Sequence, residues 1–364
     1  MTRQTSTYLD LIRFAAALIV FIGHTSGQRL TGGWLWQAGP FMSEAVTIFF
    51  VLSGYVIAFV TDKGESTARA FIVARAARIY SVALPALVIT FVADSFGRHF
   101  NPDAYSISWG YRSDDQAWQF FANALFINRL WFNDISPGSD LPFWSLGYEV
   151  WYYVIFALCI FLTGWRRILA VVLTFAVVGP QIAAMFPIWL IGVGCYRLSR
   201  RWRMGSVTAL LLCLGCLAAW VGYEAGSIRY GQLTGLVSPL FGRPELAQDY
   251  LVAGLFAGHL LGFNALARTF TVPDRAALFI RWIAGATFSL YLFHLPVVQF
   301  LAAVSPWPLS SAPNRILEFG GGLVIIFLLA ELTERRKAIW RTALTRIADM
   351  ILPAPDSRRL PSNR

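Results

Sequence analysis

The stretch Tyr8-Leu-Asp-Leu-Ile-Arg-Phe-Ala-Ala-Ala-Leu-Ile-Val-Phe-Ile-Gly-His-Thr-Ser26 is an apolar run of membrane-spanning length that carries a guanidinium, Arg13, and an imidazole, His24. Eleven residues at 100° each make three turns plus about 20°, so on a helix both side chains point the same way, roughly 16 Å apart along the axis. Asp10, three residues before Arg13, lies close to the same stripe. A cation and an imidazole on one face of a membrane helix are costly, which makes them a functional-site hypothesis. The competing reading is a helix-packing His24 with Arg13 snorkelling to the interface.

The rest of the chain is of the same kind. Of 364 residues, 57% are apolar and 14% charged, and mean hydropathy is +0.56, too apolar for an ordinary soluble domain. The expected fold class is all-α: a polytopic integral membrane protein with about ten transmembrane helices, at 8–26, 41–61, 79–96, 142–163, 168–180, 183–198, 206–223, 247–265, 282–303 and 316–332. The fifth and sixth are short and meet at Gly179-Pro180.

The net charge of +10 raises the question of nucleic acid, and its distribution answers it. With the N-terminus in the cytoplasm, 22 of the 30 basic residues fall on the inner side and seven in outer loops, with Arg13 inside the membrane. This positive-inside asymmetry places both termini inside and makes the basic balance a matter of topology, so no nucleic-acid partner is expected. The first span carries Arg13 early and ends without a small-residue cleavage site, so it reads as a retained helix. Cys159, Cys195, Cys213 and Cys216 all fall in expected spans. Cys213-Leu-Gly-Cys216 has metal-like spacing, but its helix offers no His or carboxylate, so packing is expected and no metal.

A single membrane domain is expected over 1–340, followed by a basic cytoplasmic tail over 341–364. The sizeable outer loop, 97–140, carries Asp103, Asp114, Asp115, Trp109, Trp118 and Trp131. Ser113-Asp114-Asp115-Gln116 reads as a capping box opening a helix with Trp118, Phe121, Ala122, Leu125 and Phe126 at helical spacing, lying on the outer membrane face. Its aromatics suit either sugar stacking or ordinary interfacial solvation. The segment from Thr333 to Ile347 reads as a basic amphipathic helix on the inner leaflet, in contact with anionic membrane lipids.

Three further groupings stand beside the opening stripe. Arg75-Ala-Ala-Arg78 sets two guanidinium groups on one helical face, a fork for phosphates that positive-inside bias alone also supplies. In Phe143-Trp-Ser-Leu-Gly-Tyr-Glu149, Ser145 and Glu149 are i, i+4 neighbours, with Tyr148 beside them and Tyr152 on the next turn; the intramembrane Glu149 is suited to pair with Arg13, orient His24 or bind an acceptor hydroxyl. In Ser289-Leu-Tyr-Leu-Phe-His-Leu-Pro296, His294 sits where Pro296 invites a kink, and structural and functional readings weigh equally.

Arg13-x10-His24, Ile48-Phe-Phe-Val-Leu-Ser-Gly-Tyr55, the Arg-x-x-Arg pair, Trp144-Ser-Leu-x-x-Glu149 and Tyr291-Leu-Phe-His294 follow the order of the membrane-bound acyltransferase-3 family, which the chain resembles over residues 5–340. The resemblance implies O-acyl transfer, most often of acetyl, from cytosolic acyl-CoA to a hydroxyl of a cell-surface or secreted glycan. It makes His24 the catalytic residue, Arg13 its companion, and Arg75 and Arg78 candidates for the acyl-CoA phosphates. Many relatives carry an Asp where Thr47 stands, so that carboxylate is absent or replaced by Glu44. Some relatives also append an SGNH-type hydrolase domain; none follows here, and direct hand-over of the product is expected.

On this reading the pantetheine arm threads from the inner side toward His24, Arg13 lies at the donor entrance, and the acceptor enters past Glu44, Glu149 and the outer loop. Ser145, Tyr148, Tyr152 and His294 join Glu44 as candidate acceptor contacts. His24 acts as a general base, with a covalent acyl-histidine as runner-up. The expected partners are acetyl-CoA or another acyl-CoA, a glycan or lipid-linked saccharide such as an exopolysaccharide precursor, and the polysaccharide biosynthesis machinery of the cell inner membrane. The rival class is a multi-pass exporter of a glycan or lipid-linked intermediate; the missing internal repeat argues against it.

Overall fold

Backbone amides and carbonyls in a hydrocarbon slab must bond within their own segment, and this chain answers with helices. The computed structural model describes residues 1–65, 67–230 and 241–351. The helices are α1 (Arg3–Thr25), α2 (Gln28–Thr31), α3 (Met42–Lys63), α4 (Ala68–Phe100), α5 (Gln116–Ala124), α6 (Trp144–Phe161) and α7 (Gly164–Arg201). They continue with α8 (Ser206–Tyr230), α9 (Leu246–Leu266), α10 (Asp274–Ala284), α11 (Thr287–Val304), α12 (Ala312–Arg315), α13 (Gly322–Leu332) and α14 (Lys337–Ile351). Among the described residues eight helical segments are long and apolar enough to cross a membrane, and the chain is a multi-pass membrane protein. Helix α9 has the length, but Gln248, Asp249, His259 and Asn264 lower its hydropathy.

Several boundaries differ from expectation, each for a local reason. The first span starts earlier, at Arg3, because Thr2 caps it: its hydroxyl accepts from the Thr5 amide at 3.1 Å. The expected segment 282–303 is two helices, since α10 ends at Ala284 and a turn through Gly285 and Ala286 precedes α11. The spans expected at 168–180 and 183–198, by contrast, meet where expected: α7 is two helical stretches joined at Gly179, whose non-helical backbone (φ 80°, ψ −177°) is open to glycine alone. A Cβ there would lie 2.6 Å from the Trp131 Cα. Trp131 fills that notch, donating its amide to the Val178 carbonyl at 2.9 Å and its indole N–H to the Ala176 carbonyl at 3.1 Å.

The capping box at Ser113 to Gln116 does not form. Asp115 precedes α5 with φ 47° and makes no side-chain cap, while Gln119 donates to the Asp114 carbonyl at 2.6 Å. Helix α5 forms over the first part of the expected spacing, with Ala122 buried and Trp118 and Phe121 exposed, but it ends at Ala124: Leu125 caps it and Phe126 turns away with φ 55° to bury its ring. The loop between α4 and α6 is fastened to the bundle by Asp94, which accepts from the Ser139 amide and hydroxyl at 2.8 and 2.6 Å.

α1 packs against α3, α10 and α11, which places its Arg13 and His24 face inside the bundle. Helices α3 and α7 cross at backbone contact. A Cβ on Gly54 would come within 2.0 Å of the Trp189 carbonyl oxygen, and one on Gly192 within 2.0 Å of that of Val51. Alternation of the spans gathers Lys63, Arg75, Arg78 and Arg200 at one end, the basic end, and the 101–140 segment at the other, the loop end.

Candidate active site

A narrow cleft with a free volume of about 70 Å³ opens between α1, α3, α4, α6 and α11. Arg13, Arg75 and Arg78 line it toward the basic end, Ser53, Glu149 and Tyr153 its middle, and Ser145 and Tyr291 its deeper part. Three arginines of two sequence motifs thus meet on one wall system, brought there by α1 and α4.

Their electrostatic states differ. Arg75 donates to Glu65 at 2.6 Å, an ion pair largely screened from solvent. Among the described residues neither Arg13 nor Arg78 makes an ion pair, and the two face one another as like charges. The carboxylates nearest Arg13 other than Asp10 are engaged elsewhere. Glu149 accepts from Ser53 Oγ at 2.8 Å and from the Tyr153 hydroxyl. Glu334 accepts from the Phe288 amide (3.0 Å), the Ser289 amide (2.9 Å) and Ser289 Oγ (3.1 Å), closing the N-terminus of α11. Two guanidinium groups left facing a cleft without ion-pair partners make a site for an anion.

Ser53 holds the middle of the cleft. Its hydroxyl lies 3.2 Å from the Tyr153 hydroxyl and accepts from Trp189 Nε1 at 3.2 Å, so Ser53 and Gly54 of one short motif respectively anchor Glu149 and admit α7. Tyr291 lines the cleft with Ser145 and leads on to His294, 6.4 Å away between ring centroids. His294 is fully buried; its Nδ1 lies 3.0 Å from the Leu290 carbonyl and its Nε2 3.0 Å from Nδ1 of His24. The expected kink partner was a carbonyl freed by Pro296, which would be that of Leu292; the imidazole uses Leu290, one turn before it, instead. His24 is half-buried and does not itself line the cleft.

Other expected contacts lie apart. Glu44 lines a different, apolar cavity with Tyr8, Ile12, Ile19, Trp220 and His259, and accepts from Trp220 Nε1 at 2.9 Å and Gln248 Nε2 at 3.0 Å. Helical spacing carries the reason: nine residues separate Glu44 from Ser53, half a turn out of phase. Glu44 stands apart from Thr47, whose Oγ1 donates to Asp249 of α9 at 2.6 Å, a carboxylate that also pairs with Arg243. Tyr148 and Tyr152 pack around Phe50, and Tyr152 also against Trp189, on the shoulder of α6 away from the cleft, where Tyr153 takes the place next to Glu149. Cys213 meets His259 of α9, whose Nδ1 is 3.0 Å from the Cys213 carbonyl, while Tyr8 Oη is 2.5 Å from its Nε2. Among the described residues no three potential ligands gather as a metal would require.

Residues passed over in the sequence stand at the loop end of α1. Arg29 lies 3.9 Å over the Trp109 ring, bonds Gln299 and faces Glu318. Burial pushes the Arg29 guanidinium down to about 10, while Glu318 opposes that shift. Glu318 is fully buried on the π-helical turn Ile316–Gly321, with neither carboxylate oxygen partnered among the described residues. Asp140, just before α6, is also buried, and burial together with nearby Asp94 pushes its carboxyl well up.

An integral membrane protein with a cation-lined cleft at one end and a paired imidazole beyond it has the parts of a membrane group-transfer enzyme. Residues 6–335 match the acyltransferase-3 family, described as an acyltransferase domain, and the chain belongs to that family of membrane acyltransferases. No curated protein and no solved structure matches it.

Proposed function

We propose that this membrane acyltransferase moves an acyl group, acetyl foremost, from cytosolic acyl-CoA to a hydroxyl of a cell-surface or secreted glycan, with His24 as general base. The observation that carries the reading is the pair Arg13 and Arg78, which face one cleft without ion pairs while Arg75 beside them is matched by Glu65. Such a wall suits the phosphates of a nucleotide-linked thioester. The arm of the donor then passes Ser53, Glu149 and Tyr153 toward Ser145 and Tyr291, and the acceptor approaches from the loop end past Arg29 and Glu318.

In the reaction the acceptor oxygen attacks the thioester carbonyl. The carbon–oxygen bond forms, the carbon–sulfur bond breaks, and the hydroxyl proton passes to His24 and from it to the departing thiolate. The positive-inside distribution of arginine supports a basic end that faces the cytoplasm, where acyl-CoA is made, and fits residence in a cell inner membrane alongside polysaccharide-assembling enzymes.

Purified protein in proteoliposomes, supplied with acetyl-CoA, succinyl-CoA and longer acyl-CoA donors, is assayed for thiol release. His24→Ala should abolish it while the protein still elutes as a folded species. Full thiol release by that variant refutes the assignment. Comparison of acyl content on surface glycans with and without the protein then tests the acceptor class; unchanged content of every acyl group refutes it.

A further inference from the structure

Two imidazoles 3.0 Å apart, with a carbonyl at the far end, leave little freedom for their protons. A carbonyl oxygen only accepts, so His294 Nδ1 carries a hydrogen and donates it to Leu290. A neutral His294 then has a bare Nε2, which accepts from the hydrogen on His24 Nδ1. The second nitrogen of His24, Nε2, is thereby left as a lone pair. Among the described residues no protein group bonds Nε2, and His24 keeps solvent-accessible surface whereas His294 has none. The Val20 carbonyl, four residues before His24 as Leu290 is four before His294, also faces the His24 ring. It is another acceptor, on which only a protonated nitrogen can act.

We propose that His294 is a positioning residue: the relay Leu290 carbonyl, His294, His24 fixes the tautomer of His24 so that Nε2 is the proton-accepting atom toward the acceptor. This deepens the proposed function, resting on His24 as base, and gives His294 a role that a contact to the acceptor would not. When Nε2 takes the acceptor proton, the imidazolium that forms keeps its Nδ1–H on His294 Nε2. The charge is spread over a second ring anchored by Leu290. When the proton leaves for the thiolate sulfur, the original arrangement returns and no group is consumed. The Phe21 ring stands edge-on to His294 at 6.3 Å and shields the pair on one side. The sequence separation of 270 residues hides the pair from any local reading.

Two substitutions separate positioning from packing. His294→Gln places an amide oxygen near the site of Nε2, able to accept from His24 Nδ1–H. His294→Leu fills similar space with no acceptor. Thiol release from acetyl-CoA in proteoliposomes is expected to fall by roughly 10²-fold in His294→Leu, as when the orienting partner of a catalytic base is lost, and to recover at least tenfold of that in His294→Gln. A residue that only packs would favour Leu over Gln or leave them equal, and that result overturns the proposal.

The second readout needs no donor. Nitrogen NMR of ¹⁵N-histidine-labelled protein in lipid, with the His24 signals assigned by their loss in His24→Ala, should show His24 protonated at Nδ1 and bare at Nε2. In His294→Leu that preference should give way to a mixture. If thiol release is absent from the unsubstituted protein with every donor, the acyl-CoA reading fails, and the tautomer measurement still decides the relay. A bare His24 Nδ1 in the unsubstituted protein overturns it outright.

Discussion

Alanine at Gly54 or Gly192 is expected to force α3 and α7 apart. A Cβ at either position would sit 2.0 Å from a carbonyl oxygen of the facing helix, and real Cβ contacts essentially never fall below 3.0 Å, so the crossing must open by about 1 Å. The obstacle is backbone on both sides, Trp189 against Gly54 and Val51 against Gly192, so no rotamer change relieves it. Overpacking of this kind costs about 1–3 kcal/mol. At about 2–4 °C per kcal/mol the folded fraction surviving heat in detergent should show a midpoint lowered by roughly 2–12 °C. Gly194, two residues along the same helix, has nothing within 4 Å of its Cβ and serves as the control, where alanine is neutral or gains about 0.5–1 kcal/mol from helix propensity. One separation accommodates both bulges, so the double substitution should cost less than the sum of the two. Opening the crossing also draws Trp189 Nε1 from Ser53, 3.2 Å away, and with it the anchor of Glu149, so activity should fall with stability. Gly54→Ala surviving heat as well as Gly194→Ala would refute the reasoning.

Arg78→Ala should raise KM for acyl-CoA by roughly tenfold or more, the loss of about 1.5–3 kcal/mol of charge-assisted bonding, and Arg75→Ala by less because Glu65 already shares its charge; thiol-release kinetics check this, and the reverse order would refute it. Thr47→Asp should destabilise by setting a second carboxylate against Asp249, and the exchange Thr47→Asp with Asp249→Thr should restore thermal stability toward that of the parent; no restoration would show that the position of the carboxylate matters. Asp140 has its folded-state pKa raised, so the native state holds its proton more tightly than the unfolded chain. Its contribution is present below the ordinary carboxylate range and is lost as pH rises toward the folded value. Thermal midpoints across pH 4 to about 7 should therefore decline less in Asp140→Asn than in the parent, and equal slopes would refute the assignment.

Much of this molecule is legible along its helices and little of it between them. Arg13 and His24 share a face by spacing alone, and Ser145 with Glu149 lines the cleft as an i, i+4 pair must. The place of Glu44 is legible too, since half a turn separates it from Ser53 and sets it on the other face of α3. The partners that give these residues their chemistry come from other elements, His294 to His24 and Asp249 to Thr47 from far along the chain and Glu65 to Arg75 from the turn before α4. No periodicity reports such pairs, because they arise from which helices pack. The capping box failed for the opposite reason: the local signal was present, but Asp115 took a left-handed backbone conformation and the loop found Gln119 instead.

Trp131 seated in the notch at Gly179 has a consequence for selectivity. The segment between α4 and α6 is locked to α7 there, to Asp94 through Ser139, and to itself where Asn123 donates to the Ile135 carbonyl at 3.0 Å. A strap held to the bundle at two points and braced within itself does not swing. On the proposed function the way in for the acceptor is therefore a window of set dimensions, and acceptors should be sorted as by a sieve, with a sharp cut-off in girth, whereas a hinged door would grade them by how well they coax it shut.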